Sequence, residues 1–224
     1  MANFPFLHTH PYPPFNLEHA TKLIVGTLPP PRFTSGELLE RDVDFCYGSA
    51  HGMLWPILDR IFGLDLKFEN TYAAIKQRED FLIHNHIGIC DMVASAERQK
   101  IDASDVGMQQ VQLRDLVHYL RQHRQVKTLL FTGGNSKNGP EYFFRQNARA
   151  HGLKLKIKHD QVPRIHTIDI DGRTVKTVSL TAPSGSANRA IGSMPLYKKL
   201  KAQDPSFTTM DFRVMQYAPF FKED

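Results

Sequence analysis

Residues 22–31 read KLIVGTLPPP, an apolar run of Leu23, Ile24 and Val25 that meets Gly26 and stops at three prolines. A run this short, unalternated and bounded by breakers has the signature of a strand buried on both faces. Two more runs have the same character, IGICDMV at 87–93 and TLLFTG at 128–133, so that residues 22–28, 87–93 and 128–133 are expected as buried parallel strands. Between and after them lie stretches with helical apolar spacing, at Gly52–Phe62, Thr71–His86, Val111–His123 and Glu141–His151. In the third, Val111, Leu113, Leu116, Val117 and Leu120 form a broad stripe. Strand–helix–strand alternation predicts an α/β domain with a mainly parallel central sheet. RIHTIDI and RTVKTVSLTA flank Asp171-Gly172, which predicts a β-hairpin with a type I′ turn added near the last strand. Ser193–Ala202 reads as a closing helix, and Thr208–Phe221 as an aromatic tail docked on the body.

The chain has 224 residues and a net charge of +5. That length fits a single domain over 1–224, with a Pro-rich N-terminal extension at 1–21 and an aromatic C-terminal tail at 205–224. No apolar run approaches the roughly 18–20 residues of a membrane helix, and the opening MANFPFLHTHPYPPF has neither the basic nor the apolar region of a secretory signal. A cytoplasmic monomer with no membrane contact is expected. Cys46 and Cys90 are too few for a disulfide framework, His84 and His86 at i and i+2 cannot share a helix face, and His8/His10 lie in the Pro-rich terminus, so no metal is expected. Positive charge gathers in the second half: eight Lys/Arg against three Asp over 145–176, then Arg189, Lys198, Lys199 and Lys201 without an acid over 187–201. Such a field suits phosphates and nominates nucleic acid as partner, with a merely solvated basic face as the alternative.

Ligands of open α/β sheets collect where strands end at their carboxyl side. The loops there are Gly26-Thr27-Leu28-Pro29-Pro30, Cys90-Asp91, Thr132-Gly133-Gly134-Asn135-Ser136 and Thr181 to Asn188, the last reading TAPSGSAN. Small residues with free backbone N–H groups suit phosphate-sized anions, while no Walker loop or GxGxxG turn is present.

The order LIVGTLPPP, then YGSAHGMLWPIL at 47–58, ICD, FTGG and SLTAPSGSAN before a closing helix resembles the uracil-DNA glycosylase superfamily, and most of all its hypoxanthine-DNA glycosylase branch. The resemblance runs from Leu23 to Leu200. It implies a three-layer αβα fold, a base flipped out of DNA, and hydrolysis of its N-glycosidic bond by water without a cofactor. Three positions depart from the family pattern. Thr27 and Leu28 stand where many members carry an acid or amide, Gly52 where the hypoxanthine branch carries Asn, and Ala182 where many members begin the last motif with His or Asn.

Read against that chemistry, Thr27, His51 and Asp91 are the candidate catalytic residues. Thr27 can orient water, His51 can stand in for the missing Asn, and Asp91 sits at a strand end, where capping is the structural alternative. Phe45 and Tyr47 are candidate stacking platforms, Asn135 a candidate reader of the base edge, and Trp55 is expected in the core. Ser184, Gly185, Ser186, Asn188 and Arg189 are candidate DNA-phosphate contacts, since no triad or nucleophile elbow surrounds Ser184. Arg164-Ile165-His166, similar to a loop of a covalently reacting branch, is read as coincidence. The sequence supports a glycosylase first; a catalytically degenerate binder of nucleic acid or nucleobase, and a hydrolase of small nucleosides, stay open beside it.

Overall fold

The computed structural model describes residues 5–102 and 104–223. The first four residues of the Pro-rich extension and Asp224 of the tail lie outside the described residues. In chain order the elements are β1 (Phe6–Thr9), β2 (Lys22–Val25), α1 (Arg32–Ser35), α2 (Leu54–Phe62), α3 (Tyr72–His84), β3 (Ile87–Ile89), β4 (Val93–Arg98), β5 (Gln109–Leu113), α4 (Leu116–Gln122), β6 (Thr128–Phe131), α5 (Pro140–Ala150), β7 (Lys156–His159), β8 (Arg164–Ile170), β9 (Arg173–Ser179), α6 (Asn188–Ser193), α7 (Pro195–Gln203) and α8 (Thr209–Lys222).

The central sheet has six strands in the order β3-β2-β6-β9-β8-β7. Successive residues of β2 and β6 face opposite sides. Leu23, Val25, Leu129 and Phe131 join one core with Leu116, Val117, Leu120, Phe143 and Phe144 of α4 and α5. Ile24 and Leu130 join the other, with Leu54, Trp55, Leu58, Phe81, Leu82, Tyr217 and Phe221 of α2, α3 and α8. This period-two division of an all-apolar run makes three layers, helices on both faces of a sheet. Trp55 is 1% exposed and donates its indole N–H to the Cys46 carbonyl at 2.8 Å, as expected of a core residue.

The sheet is parallel only over β3-β2-β6-β9; β8 runs antiparallel to both β9 and β7. A second sheet, β1-β4-β5, is wholly antiparallel. The expectation of a mainly parallel sheet therefore holds for four strands and fails for the rest, for two local reasons. Asp171 and Gly172 both take positive φ, 48° and 79°, the backbone of the type I′ turn that folds β8 back on β9. The segment 87–93 is not one strand: β3 ends at Ile89, the chain bends through Cys90-Asp91, and β4 leaves to build the second sheet.

The expected helix over Val111–His123 divides in the same way. Gln109–Leu113 pairs with β4, and Asp115 then caps α4 by accepting the His118 N–H at 3.1 Å. Tertiary pairing overrides the helical spacing of Val111 and Leu113. The N-terminal extension is integral to the body, since β1 pairs with β4 and Phe15 bridges Ile89. The aromatic tail is a 14-residue helix with a Thr208–Asp211 capping box, and α8 buries Phe212, Tyr217 and Phe221.

Candidate functional site

The loops at the carboxyl ends of β2, β3, β6 and β9 meet the 45–53 loop around one cleft of about 790 Å³. Thr27, Tyr47, His51, Asp91, Ser184, Gly185 and Ser186 all line it, so residues up to 159 positions apart converge as the strand-end argument predicts. Phe45, Asn135, Asn188 and Arg189 do not line it. Phe45 is 7% exposed and packs behind the wall against Phe15 and Trp55. Asn135 and Arg189 face solvent, and Asn188 Oδ1 accepts from Arg213 at 2.9 Å.

Asp91 is the hub of the floor. Its Oδ1 accepts the Gly26 N–H and the Tyr47 hydroxyl, each at 2.7 Å, and its Oδ2 meets His10 Nε2 at 3.0 Å. Gly26 is required here by close approach: a Cβ would stand 2.3 Å from Tyr47 Oη. Tyr47 itself takes φ 58°. Burial first, and then the Asp91 charge, push its phenol well above the usual range, so it stays a protonated donor. Burial likewise pushes the Cys90 thiol up to about 12 and raises Cys46, which leaves neither as a thiolate nucleophile.

One wall includes Arg32, which is held from behind by the buried Asp42. Asp42 is buried, yet two hydrogen bonds from Arg32, at 2.6 and 2.8 Å, and the N–H groups of Ala50 and Leu39 outweigh that burial and hold its carboxyl at about 2. Asp42 thereby fixes the loop that presents His51, which is exposed at the cleft mouth. The opposite lip is joined to it by backbone: Gly52 bridges Ser184, and the Met53 N–H donates to the Pro183 carbonyl at 2.9 Å. Arg213 of α8, fully buried, donates to the Ala182 and Ser184 carbonyls as well as to Asn188. On a third side Thr27 Oγ1 donates to Asp105 Oδ1 at 2.7 Å.

Five of the eight cations over 145–176 are partnered within the protein, and Arg149, Lys154 and Lys158 stay exposed. Arg145 and Arg164 pair with the buried Glu141, Lys156 with Asp169, Lys176 with Glu223, and Arg173 donates to the Leu120 and Val126 carbonyls. Arg189, Lys198 and Lys199, on α6 and α7 just beyond the Ser184–Ser186 lip, are exposed and make no ion pair among the described residues.

Sequence reasoning missed His10, Tyr12, Arg32, Asp105 and Arg213. None of them lies in the four loops that the sequence singled out, and the contacts that bring His10 to Asp91 and Asp105 to Thr27 span 81 and 78 positions, with no local signature. No three His, Cys, Asp or Glu side chains among the described residues gather as a metal site, and no described helix is long and apolar enough to cross a membrane.

Among solved structures, the chain is similar to the solution NMR structure of a candidate uracil DNA glycosylase from Methanosarcina acetivorans. The TM-score is 0.51 and the identity 16%, over 92% of this chain and 98% of that one. No family model and no curated protein matches. At that identity the likeness is one of fold: the chain shares the α/β fold of that structure.

Proposed function

We propose that the protein is a monofunctional DNA glycosylase that flips a deaminated base into the cleft and hydrolyses its N-glycosidic bond without a cofactor. The observation that carries this reading is the convergence of Thr27, Tyr47, His51 and Asp91 on one cleft large enough for a nucleoside, at the strand ends of a glycosylase-like fold. In this reading Asp91, locked by three hydrogen bonds, supplies negative charge toward the oxocarbenium-like sugar. Thr27 positions water, and His51 at the mouth neutralises the departing base. Tyr47, with Tyr12 and Phe33 also in the wall, gives the base an aromatic surface, whereas Phe45 supports that surface from behind. Ser184, Gly185 and Ser186 take a phosphate, with Arg189 beside them; Asn188 and Asn135 stand outside the direct contact set.

The resemblance to the hypoxanthine branch makes a deaminated purine the first lesion to try. Purified protein is incubated with labelled oligonucleotides carrying hypoxanthine, xanthine or uracil, single- and double-stranded, and abasic sites are cleaved with alkali. Strand cleavage above a boiled control, lost in His51→Ala, supports the reading. No cleavage anywhere, with DNA still bound, supports the alternative of a catalytically degenerate binder. That alternative has its own observation, since Leu28, Gly52 and Ala182 present no polar side chain to the cleft.

A further inference from the structure

Hydrolysis needs a group to take a proton from water, and a Thr-Leu pair occupies the place where the resemblance expects an acid or amide. Two carboxylates line the cleft, Asp91 and Asp105. Both oxygens of Asp91 are committed, to Gly26 and Tyr47 on one side and His10 on the other. Asp105 differs. Its Oδ1 accepts from Thr27 at 2.7 Å, and Oδ2 has no hydrogen-bond partner among the described residues. Its backbone is anchored, because the Asp105 carbonyl accepts from Asn138 Nδ2 at 2.8 Å and from the Met108 N–H at 3.1 Å. Asn138 also reaches the Met108 carbonyl at 3.1 Å, tying the 105–107 turn to the loop after β6. A Thr27 hydroxyl that gives its proton to Asp105 keeps its lone pairs, so hydroxyl and carboxylate together form a cradle with an acceptor on each side, the arrangement that holds both protons of one water.

We propose that Asp105, supplied by the β4–β5 connection, is the general base of this site and replaces the acid missing beside Thr27. The assignment rests on the glycosylase reading above. The water oxygen forms a bond to C1′ of the flipped nucleotide, and the C1′–N bond breaks with its electron pair leaving on the base. The water proton passes to Asp105 Oδ2, which then releases it to solvent, and the departing base takes up one proton from solvent by way of the exposed His51, to give a neutral free base and an abasic sugar. Burial and the neighbouring Asp91 charge hold the Asp105 carboxyl above the usual range, against the Thr27 hydrogen bond and the Arg98 guanidinium. A more basic carboxylate is a better acceptor near neutral pH. The other charged or titratable groups around it are Asp102 on its own loop, and His10 and Lys137 in the cleft lining.

Single-turnover excision by the full chain tests this. Asp105→Asn, nearly isosteric, is expected to lose about 100-fold or more in rate, with lesion-duplex affinity within about threefold of the unsubstituted protein and an unchanged melting curve. Formate is expected to restore part of the rate to Asp105→Ala, an outcome possible only in a folded site. In Thr27→Val the carboxylate loses a stabilising donor, so the acid limb of the pH–rate profile is expected to move to higher pH. An Asp105→Asn rate within about fivefold of the unsubstituted protein overturns the base assignment and leaves the glycosylase standing. No excision of any lesion by the unsubstituted protein overturns both.

Discussion

Replacing Gly26 by Ala places a methyl group 2.3 Å from Tyr47 Oη, 2.9 Å from Asp91 Oδ1 and 3.1 Å from Thr132 Oγ1. Gly26 does not take a positive φ, so backbone strain adds nothing and the whole effect is the collision. Tyr47 must withdraw and lose its hydrogen bond to the Asp91 carboxylate, which costs about 1.5–3 kcal/mol. Forcing a methyl into a filled floor costs about 1–3 kcal/mol more. The sum, about 2.5–6 kcal/mol, lowers Tm by about 5–24 °C for a chain of this size. Thermal melts followed by circular dichroism measure it, with Gly192→Ala as control: nothing lies within 4 Å of that position, so Tm should hold or rise. If the hydrogen bond is the route, Tyr47→Phe already carries about 1.5–3 kcal/mol of the loss, and Gly26→Ala costs less in that background. A Gly26→Ala protein that melts within about 2 °C of the parent and excises normally would refute the packing argument for the floor.

Three further outcomes follow from the same geometry. His8 is buried, its Nδ1 accepts from Arg98 Nε at 2.8 Å, and burial with the Arg98 charge holds its pKa down to about 4. The unfolded chain protonates this His near pH 6.5 while the fold resists until about 4, so stability present above 6.5 is lost on acidification through that window; His8→Asn should flatten the slope of urea midpoints between pH 7 and 4.5, and an unchanged slope removes His8 as its origin. Arg213→Met leaves the Ala182 and Ser184 carbonyls without their donor; a loss of about 3 kcal/mol and faster amide exchange over 184–188 are expected, and unchanged exchange there refutes the clasp. Arg189→Ala should lower the slope of log Kd against log salt by about 1 with lesion preference intact, whereas an unchanged slope takes Arg189 off the phosphate path.

Local chemistry made much of the frame legible. KLIV and TLLF are strands because unbroken apolar runs bounded by breakers have nowhere else to go, and Asp171-Gly172 dictates its turn through the φ it tolerates. The Thr208–Asp211 spacing carried a capping signal for α8 that its aromatic composition masked. Gln109–Leu113 was illegible as a strand, because its partner β4 is remote and Val111 and Leu113 fit a helical stripe equally well. The site divided along the same line. Thr27, Tyr47, His51, Asp91 and Ser184 sit in loops that strand ends must bring together. Asp105 reaches Thr27 across 78 positions and His10 reaches Asp91 across 81, so nothing near either residue announces the contact.

The clasp of Arg213 on the 182–188 loop also bears on the order of events during synthesis. The site loops after β2 and β3 emerge early, yet β9, which stands between β6 and β8, and the lip that follows it come late, and the lip, bridged to Gly52 and Met53, gains its last fastening from a residue of the final helix. A nascent chain that still lacks Arg213 has every strand of the sheet but not the donor that holds the Ala182 and Ser184 carbonyls, so this lip is the last part of the cleft to be set.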